Sequence, residues 1–429
     1  MTARSPGAGR RDLLLLLPAQ FLVYSNLFLA LTIMPLYTAY VGGDAFTAGL
    51  HTAIFTGCGV ALRFYFGPLA DRKGRKLPLL IGSLAFATAP LLFLFTTTPG
   101  SLALARAYQS LGLAAYLAAS TSLVADLAPP QWRGTALTVN RIVITLAFTA
   151  APPLGEAVVR TWGFPPFFYG CALAGLLGVA LVALVREPRP LEGELRPVSA
   201  GTGDPEGSAG RTRASGGRPE EPAGGPGGAP GDPGAGPANP YALLLRDRRV
   251  MAALGAAGAA ALAEGGATGF LPLYMEAIGT GGSGPFFLGL GMGGLLAAGA
   301  GVLADRRGPM AVMVPATALA GLGAAALVMD PAVPVLLGGG LLLGIGYTAG
   351  LAAAGALLVE VAPARYRTTA LALSETAIDG SITLGSPLLG LLAAGRGYPW
   401  AFGALALACW LVAGGLALLA RGSRPEAQR

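Results

Sequence analysis

The sequence predicts an all-α membrane protein with twelve transmembrane helices, arranged as two pseudo-symmetric bundles of six helices. Composition and an internal repeat predict this fold class. Of the 429 residues, 53% are hydrophobic and only 12% are charged, whereas soluble domains carry about 25% charged residues. So few charges cannot cover the surface of a soluble protein. A wholly disordered chain is also excluded, because disorder requires low hydrophobicity. Six apolar runs precede a polar segment, and six related runs follow it.

Each apolar run is about 20 residues long, which is enough to cross a bilayer. An even number of spans places both termini on one side of the membrane. The predicted spans are 13–37, 46–66, 77–96, 102–125, 135–158, 164–185, 249–273, 284–304, 309–329, 333–358, 368–392 and 399–420.

The basic residues predict the orientation of these spans. Of the 29 lysines and arginines, 24 lie on the side that carries the termini, two (Arg160 and Arg396) lie on the other side, and three lie within spans. Because basic loops stay in the cytosol, both termini are predicted to be cytosolic, in a plasma (inner) membrane of the bacterial type. The Leu run after Arg11 continues to Tyr37, so it is predicted as the first span rather than a signal peptide.

The sequence lacks the residues and motifs that several classes of function require. The three cysteines (Cys58, Cys171 and Cys409) fall in separate spans, which indicates neither a disulfide nor a metal site. The chain has one histidine and no P-loop motif. We therefore expect no enzyme activity, no metal and no cofactor. The net charge of +7 reflects membrane orientation, so we expect no nucleic-acid partner, and we expect a monomer in the lipid bilayer.

Residues 187–247 are rich in Gly, Pro, Ser and charged side chains, which predicts a flexible cytosolic linker between a bundle at 1–186 and a bundle at 248–429. The bundles repeat one another at an offset of 234 residues. Residues 67–74 (GPLADRKG) recur as 301–308 (GVLADRRG), and 126–137 recur as 360–371. Duplicated halves of six spans are typical of secondary transporters that work by alternating access.

The repeated loop resembles the signature loop of the major facilitator superfamily. Residues 106–110 (RAYQS) resemble the R-x-x-Q-G element of its exporters, with Ser110 in place of Gly. Residues 151–155 (APPLG) resemble its G-P-x-x-G antiporter element, with Ala151 in place of Gly. Pro309 stands in the second copy of the loop where the first has Arg75. The residues assigned to this conformational-switch motif are Gly67, Asp71, Arg72, Gly74, Arg75, Asp126, Gly301, Asp305, Arg306 and Gly308.

Physical arguments give this loop a role. Gly67 is expected to permit close helix approach, and Gly74 to adopt a positive φ in a tight reversal. The resemblance implies that Asp71 binds the start of the eleventh helix near Thr368 and Thr369, and that Arg75 pairs with Asp126. The alternative is that the basic residues only hold the loop in the cytosol.

Six charges are predicted inside the membrane, at about 3 kcal/mol each if unpaired. The bases lie in the first half and the acids in the second, so attraction acts between halves. They are Arg63, Arg106, Arg141, Glu264, Glu375 and Asp379.

Glu375 and Asp379 are four residues apart and share one helix face. The family fold packs the eleventh helix against the second, so Arg63 is their expected partner. The interaction is either a static salt bridge or a cytosolic gate that protonation opens.

Glu264 is a candidate proton carrier, or the partner of a cationic substrate group, and Arg106 within reach of it would complete a proton switch. The alternative is a hydrated cavity side chain. Asn26 and Gln109 are candidate substrate contacts, although such amides also join helices. Arg141 has no acid on its expected neighbour, the eighth helix, and would favour an anionic substrate. His51 is expected to be interfacial.

These features predict a secondary active transporter, a proton-coupled efflux (antiport) permease for a drug or metabolite. The alternative is a proton-coupled importer (symporter) of a small organic anion or sugar. The proton gradient is the expected energy source. A transport-inactive sensor on the same fold would need a docking motif, and the linker offers none.

Overall fold

A computed structural model of the protein describes residues 6–186, 240–363 and 366–422. The described chain is helical, and twelve of its helices are long and apolar enough to cross a membrane. We label them α1 (Pro6–Thr32), α2 (Ala45–Lys73), α3 (Lys76–Phe93), α4 (Pro99–Leu127), α5 (Arg133–Trp162), α6 (Phe164–Leu184), α7 (Arg248–Ala277), α8 (Gly284–Arg307), α9 (Pro309–Ala326), α10 (Val333–Val361), α11 (Arg367–Arg396) and α12 (Tyr398–Gly422).

Two of the twelve predicted spans are interrupted. The first was predicted to run unbroken to residue 37, but α1 ends at Thr32 and a short helix follows at Met34–Tyr40, with a proline near its start. Proline lacks a backbone N–H and disfavours the helical conformation in the residue before it, which explains the break. In α8, a short 3₁₀ turn at Ala297–Gly299 separates the two α-helical pieces.

The segment between the halves falls mostly outside the described residues, which resume at 240. Pro240–Arg246 was predicted as part of the flexible linker, but it forms a short helix against α7. Its Leu244 side chain is buried in the core of the second half. This burial supplies the apolar contact that a solvated linker would lack.

Small residues allow close packing within each half. A Cβ atom added at Gly82 would collide with the backbone of Tyr116 on α4, and one added at Gly289 would collide with the backbone of Leu337 on α10. Close backbone approach at such glycines is the usual way in which membrane helices pack.

The backbone itself repeats between the halves. Gly74 and Gly308 adopt φ values of 89° and 86°, and they are 234 residues apart, the offset seen in the sequence. Both end a helix and allow the chain to reverse into the next one. We call the face that carries these two turns the inner face and the opposite one, with the loop at 94–98, the outer face.

Candidate functional site

The two halves meet along two pairs of helices, α2 with α11 and α5 with α8. The hydroxyls of Thr56 and Thr383 are hydrogen-bonded at 2.8 Å between α2 and α11. Between α5 and α8, a Cβ atom added at Gly291 would collide with Thr149. The first contact lies near the middle of its helices and the second somewhat nearer the outer ends. Near the outer end of α11, a Cβ atom added at Gly390 would collide with the backbone of Ala45, so the halves are closed against one another toward the outer face.

Arg63 and Asp379 form an ion pair between the halves, as the sequence predicted for Arg63 and the acids of α11. The Nη1 atom of Arg63 lies 2.6 Å from the Oδ2 atom of Asp379, and the side chains are 25% and 15% exposed. The other predicted acid, Glu375, is exposed and lies beyond ion-pair distance. In the structure Arg63 therefore pairs with Asp379 and not with Glu375, while the role of the pair as a gate remains a prediction.

Four charged side chains interact electrostatically with Tyr347 of α10. Arg141 of α5, Glu264 of α7 and the two acids of α11, Glu375 and Asp379, all lie within electrostatic range of its hydroxyl. The acid of α8, Asp305, lies in its last turn and forms no ion pair with Arg141, which instead interacts electrostatically with Glu375 of the other half. The space between the halves is the candidate substrate site, because it brings both halves and both signs of charge together.

Arg106 does not complete the predicted proton switch with Glu264. Its side chain is 1% exposed, donates a hydrogen bond from Nη1 to the Oε1 atom of Gln109, and lies 4.3 Å from the centre of the Phe55 ring. The amide and the aromatic face compensate the buried cation locally. Gln109 therefore binds Arg106 in this conformation, rather than presenting its amide oxygen to a substrate.

Two other predicted polar residues are engaged within the first half. The Asn26 amide donates to the carbonyl oxygen of Cys171 at 3.2 Å, so it joins α1 to α6. His51 was expected to be interfacial, but it is buried. Its ring nitrogens lie 2.9 Å from the Thr38 hydroxyl and 3.0 Å from the carbonyl oxygen of Pro99. Both ring nitrogens of His51 therefore have a hydrogen-bond partner within the first half.

Glu156 of α5 joins the halves at the outer face, a role that the sequence did not indicate. Its Oε2 atom accepts hydrogen bonds from the backbone N–H and the hydroxyl of Ser283, at 2.9 and 2.7 Å, at the start of α8. Its Oε1 atom lies 3.0 Å from Arg160, and the side chain is buried. A position two residues before the predicted end of its span is typical of an interfacial charge, so only the tertiary contact identifies it.

The signature loop has the geometry predicted for Gly74 but not for Gly67. A Cβ atom added at Gly67 or at Gly301 would meet no atom within 4 Å, so neither glycine serves close helix approach. The Nε atom of Arg75 lies 3.0 Å from the Oδ2 atom of Asp126, the pair that the resemblance implied. Asp305 and Arg306 lie exposed in the last turn of α8, and Arg72 in that of α2.

The predicted contact of Asp71 with Thr368 falls on side chains outside the described part of the structure, so it stays a prediction. Across the residues that are described, no group of three or more His, Cys, Asp or Glu side chains is placed to hold a metal ion.

Known proteins share both the sequence pattern and the fold. The quinolone resistance protein NorA of Staphylococcus aureus is 24% identical over 169 residues, which are 39% of this chain and 44% of that protein. Multidrug resistance protein 1 of Bacillus subtilis is 25% identical over 175 residues, which are 39% of this chain and 45% of that protein. The aligned part thus spans less than half the length of these curated relatives.

Solved structures match nearly the whole chain. A bacterial homolog of the human lysosomal transporter Spinster aligns with a TM-score of 0.71 and 16% identity, over 97% of this chain and 98% of that one. A variant of the peptide transporter POT aligns with a TM-score of 0.73 and 14% identity, over 96% and 94%. The family model described as Major Facilitator Superfamily matches residues 16–329 and 299–429. The chain therefore belongs to the major facilitator superfamily and is a multi-pass membrane transporter.

Proposed function

We propose that this transporter is a proton-coupled efflux permease, which exchanges protons for a small amphipathic drug or metabolite across the plasma membrane by alternating access. Both termini are cytosolic in this proposal, so the inner face is the cytosolic face. The protein acts as a monomer, needs no cofactor, and is driven by the proton gradient.

The names of two relatives support the proposed direction of transport. These names describe resistance to quinolones and to multiple drugs. Export is the simplest way in which a membrane transporter confers resistance. The match covers 39% of this chain at about a quarter identity, which supports a shared class of transport rather than a shared list of substrates.

The geometry supports loading from the inner face. The hydrogen bonds of Glu156 and the contact of Gly291 with Thr149 close the outer part of the α5–α8 interface. Arg141 and Glu375, which lie nearer the inner ends of their helices, are exposed. A substrate of mixed polarity would therefore reach these side chains from the cytosol in this conformation.

Glu264 is the acid to which we assign proton binding. It lies on α7 near Tyr347, and among the described residues no base lies within 4 Å of it. A carboxyl group without a fixed cationic partner can exchange its proton during the cycle more readily than Asp379, which Arg63 holds at 2.6 Å.

A proton-coupled importer of an organic anion or sugar is the second candidate, favoured by the exposed guanidinium of Arg141. Structures of similar fold include the nucleoside transporter NupG, with a TM-score of 0.71 and 15% identity, over 95% of this chain and 99% of that one. At this identity the likeness concerns the fold alone.

Everted membrane vesicles with a preformed pH gradient, acidic inside, test the proposal. Norfloxacin or tetraphenylphosphonium added to vesicles that contain the wild-type protein should partly collapse the gradient, measured with a pH-sensitive acridine dye. Glu264→Gln should abolish the response. Glu276→Gln, a matched change at the exposed outer end of the same helix, should leave it intact.

Two results would contradict parts of this proposal. An unchanged response of the Glu264→Gln variant removes Glu264 from coupling but leaves efflux standing. A lack of response to either compound, together with proton-driven uptake of an organic anion by right-side-out vesicles, would establish the importer instead.

A further inference from the structure

A basic cleft of about 850 Å³ opens at the inner face of the second half. Four arginines from the ends of three helices surround it, and one glutamate lies beside them. Its wall toward the membrane interior is apolar, with Met310, Val314 and Leu418 among its side chains. The charged side chains of this basic cleft are Arg248, Arg249, Arg307, Arg421 and Glu360.

The corresponding place in the first half is occupied by two of that half's own side chains. Arg75 lies 3.0 Å from Asp126, as described above. Lys76 donates hydrogen bonds from Nζ to the carbonyl oxygens of Ala183 and Val185, both at 2.7 Å. Together these contacts tie the start of α3 to the inner ends of α4 and α6.

The repeat offset of 234 residues shows what replaces these contacts in the second half. Arg75 corresponds to Pro309 and Lys76 to Met310, and neither replacement can form an ion pair. Asp126, Ala183 and Val185 correspond to Glu360, Ala417 and Leu419, and all three line the basic cleft. The cleft is therefore the space that two basic side chains fill in the first half.

The arginines of the basic cleft are available to a ligand. All four are exposed, and within the described ranges none lies within 4 Å of a carboxylate. With Glu360 they carry a net charge of +3. They stand where α7 begins and where α8 and α12 end, at the boundary between membrane and water. Guanidinium groups bind phosphate oxygens through paired hydrogen bonds.

We propose that the basic cleft binds the phosphate headgroup of an anionic phospholipid from the inner leaflet, with an acyl chain along the apolar wall. Basic pockets between transmembrane helices on the cytosolic side suit such headgroups. A free phosphate ion would use the arginines but leave the apolar wall unoccupied, so we favour the lipid. The inference rests on the proposed function only for the cytosolic orientation of the inner face, and it depends on neither the substrate nor the direction of transport.

Native mass spectrometry of the full-length protein in detergent, titrated with phosphatidylglycerol, tests the proposal. The expected result is one lipid bound at least tenfold more tightly than phosphatidylcholine of the same chains. Arg307→Gln combined with Arg421→Gln should weaken phosphatidylglycerol binding by about 30-fold, at about 1 kcal/mol for each of the two arginines near a lipid surface.

The matched control is Arg133→Gln combined with Arg367→Gln. These two exposed arginines begin α5 and α11 on the same face, are related by the repeat, and lie outside the basic cleft. The control variant should bind phosphatidylglycerol as the wild type does. An equal loss in both double variants would mean a nonspecific attraction to basic loops and would overturn the proposal.

A second test fills the basic cleft with two side chains, and it adds positive charge where the first test removes it. Pro309→Arg combined with Met310→Lys restores the side chains of the first half and should close the cleft by pairing with Glu360. We expect weaker phosphatidylglycerol binding by this variant, although its net charge is higher by two. Stronger binding would contradict the cleft as the site, and a thermal unfolding curve verifies that the variant is folded.

A final comparison separates the two sources of phosphate. Inorganic phosphate at millimolar concentration should leave most of the bound phosphatidylglycerol in place, because it gains no contact with the apolar wall. Complete displacement at that concentration would show that the site recognises free phosphate, and the lipid proposal would be wrong.

Discussion

Glu156 and Ser283 join the two halves of the transporter through two hydrogen bonds to one carboxylate oxygen. The donors are a backbone N–H and a hydroxyl at the beginning of α8, and the acceptor lies on α5. Negative charge is favourable at a helix N-terminus, where backbone N–H groups point outward. Because these helices belong to different halves, the contact must break whenever the outer face opens.

We expect Glu156→Ala to shift the protein toward an outward-open conformation. The substitution leaves the buried N–H of Ser283 without its acceptor, at a cost of about 1–3 kcal/mol, which corresponds to roughly a five- to 150-fold change in the conformational equilibrium. A cysteine at the interface (Thr149→Cys, with Cys58 replaced) should then react several-fold faster with a membrane-impermeant maleimide added from the outer side.

The control for this prediction is Arg160→Gln. Its ion pair with Glu156 is 43% exposed on the arginine side, and such pairs contribute only about 0–1 kcal/mol. We expect labelling close to the wild-type rate in this variant. Equal labelling of the wild type and the Glu156→Ala variant would show that the contact does not hold the outer face closed.

Sequence patterns within single spans and loops predicted those features of the fold that depend on residues close together in the chain. Span length and apolar composition predicted twelve helices, and the repeat predicted the paired turns at Gly74 and Gly308. The ion pair of Arg63 followed from helix periodicity together with the family's helix arrangement. The contact between Glu156 and Ser283 joins residues 127 positions apart, and no motif relates them, so it required the tertiary structure.

The surroundings of Arg106 show why the charged residues inside the membrane did not by themselves identify their partners. An unpaired arginine inside the membrane calls for compensation, and an acid on a facing helix was the expected source. The structure instead supplies the Gln109 amide one turn along the same helix and the Phe55 ring from α2. Neither the amide nor the ring carries a formal charge. The pattern of opposite charges in the two halves therefore could not identify them as the partners of Arg106.

The pair of Arg75 with Asp126 should matter more for transport than for stability. Its side chains are 32% and 39% exposed, and exposed ion pairs contribute about 0–1 kcal/mol. We therefore expect Asp126→Asn to shift the thermal midpoint by only a few degrees. If the loop acts in the conformational cycle, the same variant should lose most transport at normal expression. A large loss of thermal stability would instead assign the pair a structural role.

Asp44 caps α2 at the outer face, and we expect it to make the stability of the protein depend on pH. Its carboxylate accepts hydrogen bonds from the hydroxyl and the backbone N–H of Thr47, at 2.6 and 2.8 Å, and these bonds lower the pKa of Asp44. A lowered pKa in the folded state means that the stabilisation is present above the unfolded pKa of about 3.9 and is lost as the pH falls through the folded pKa.

The comparison of wild type with Asp44→Asn isolates this effect. Asparagine also caps helices well, but it does not titrate. The thermal midpoint of the wild type should therefore fall relative to that of the variant between pH 5 and pH 3. Asp44→Ala should lose about 1 kcal/mol of stability near neutral pH. A difference between wild type and Asp44→Asn that stays constant with pH would contradict the titration of the cap.

The ion pair of Arg63 with Asp379 predicts a specific pattern of charge-reversal rescue. Arg63→Glu places two negative charges in contact and should abolish transport, as should Asp379→Arg. The side chains are partly exposed, so each single reversal should cost less stability than the about 3–5 kcal/mol lost on breaking a fully buried pair. The double variant restores opposite charges at the same two positions and should recover a substantial part of the transport rate.

Glu375 provides the matched control for this experiment, since it lies one helical turn from Asp379 on α11. Arg63→Glu combined with Glu375→Arg should not recover transport, because the structure places Arg63 against Asp379 and not against Glu375. Transport assays at equal expression of all four variants decide the question. Rescue by Glu375→Arg and not by Asp379→Arg would mean that Arg63 changes partner during the cycle, and that the pair seen here is not the one on which transport depends.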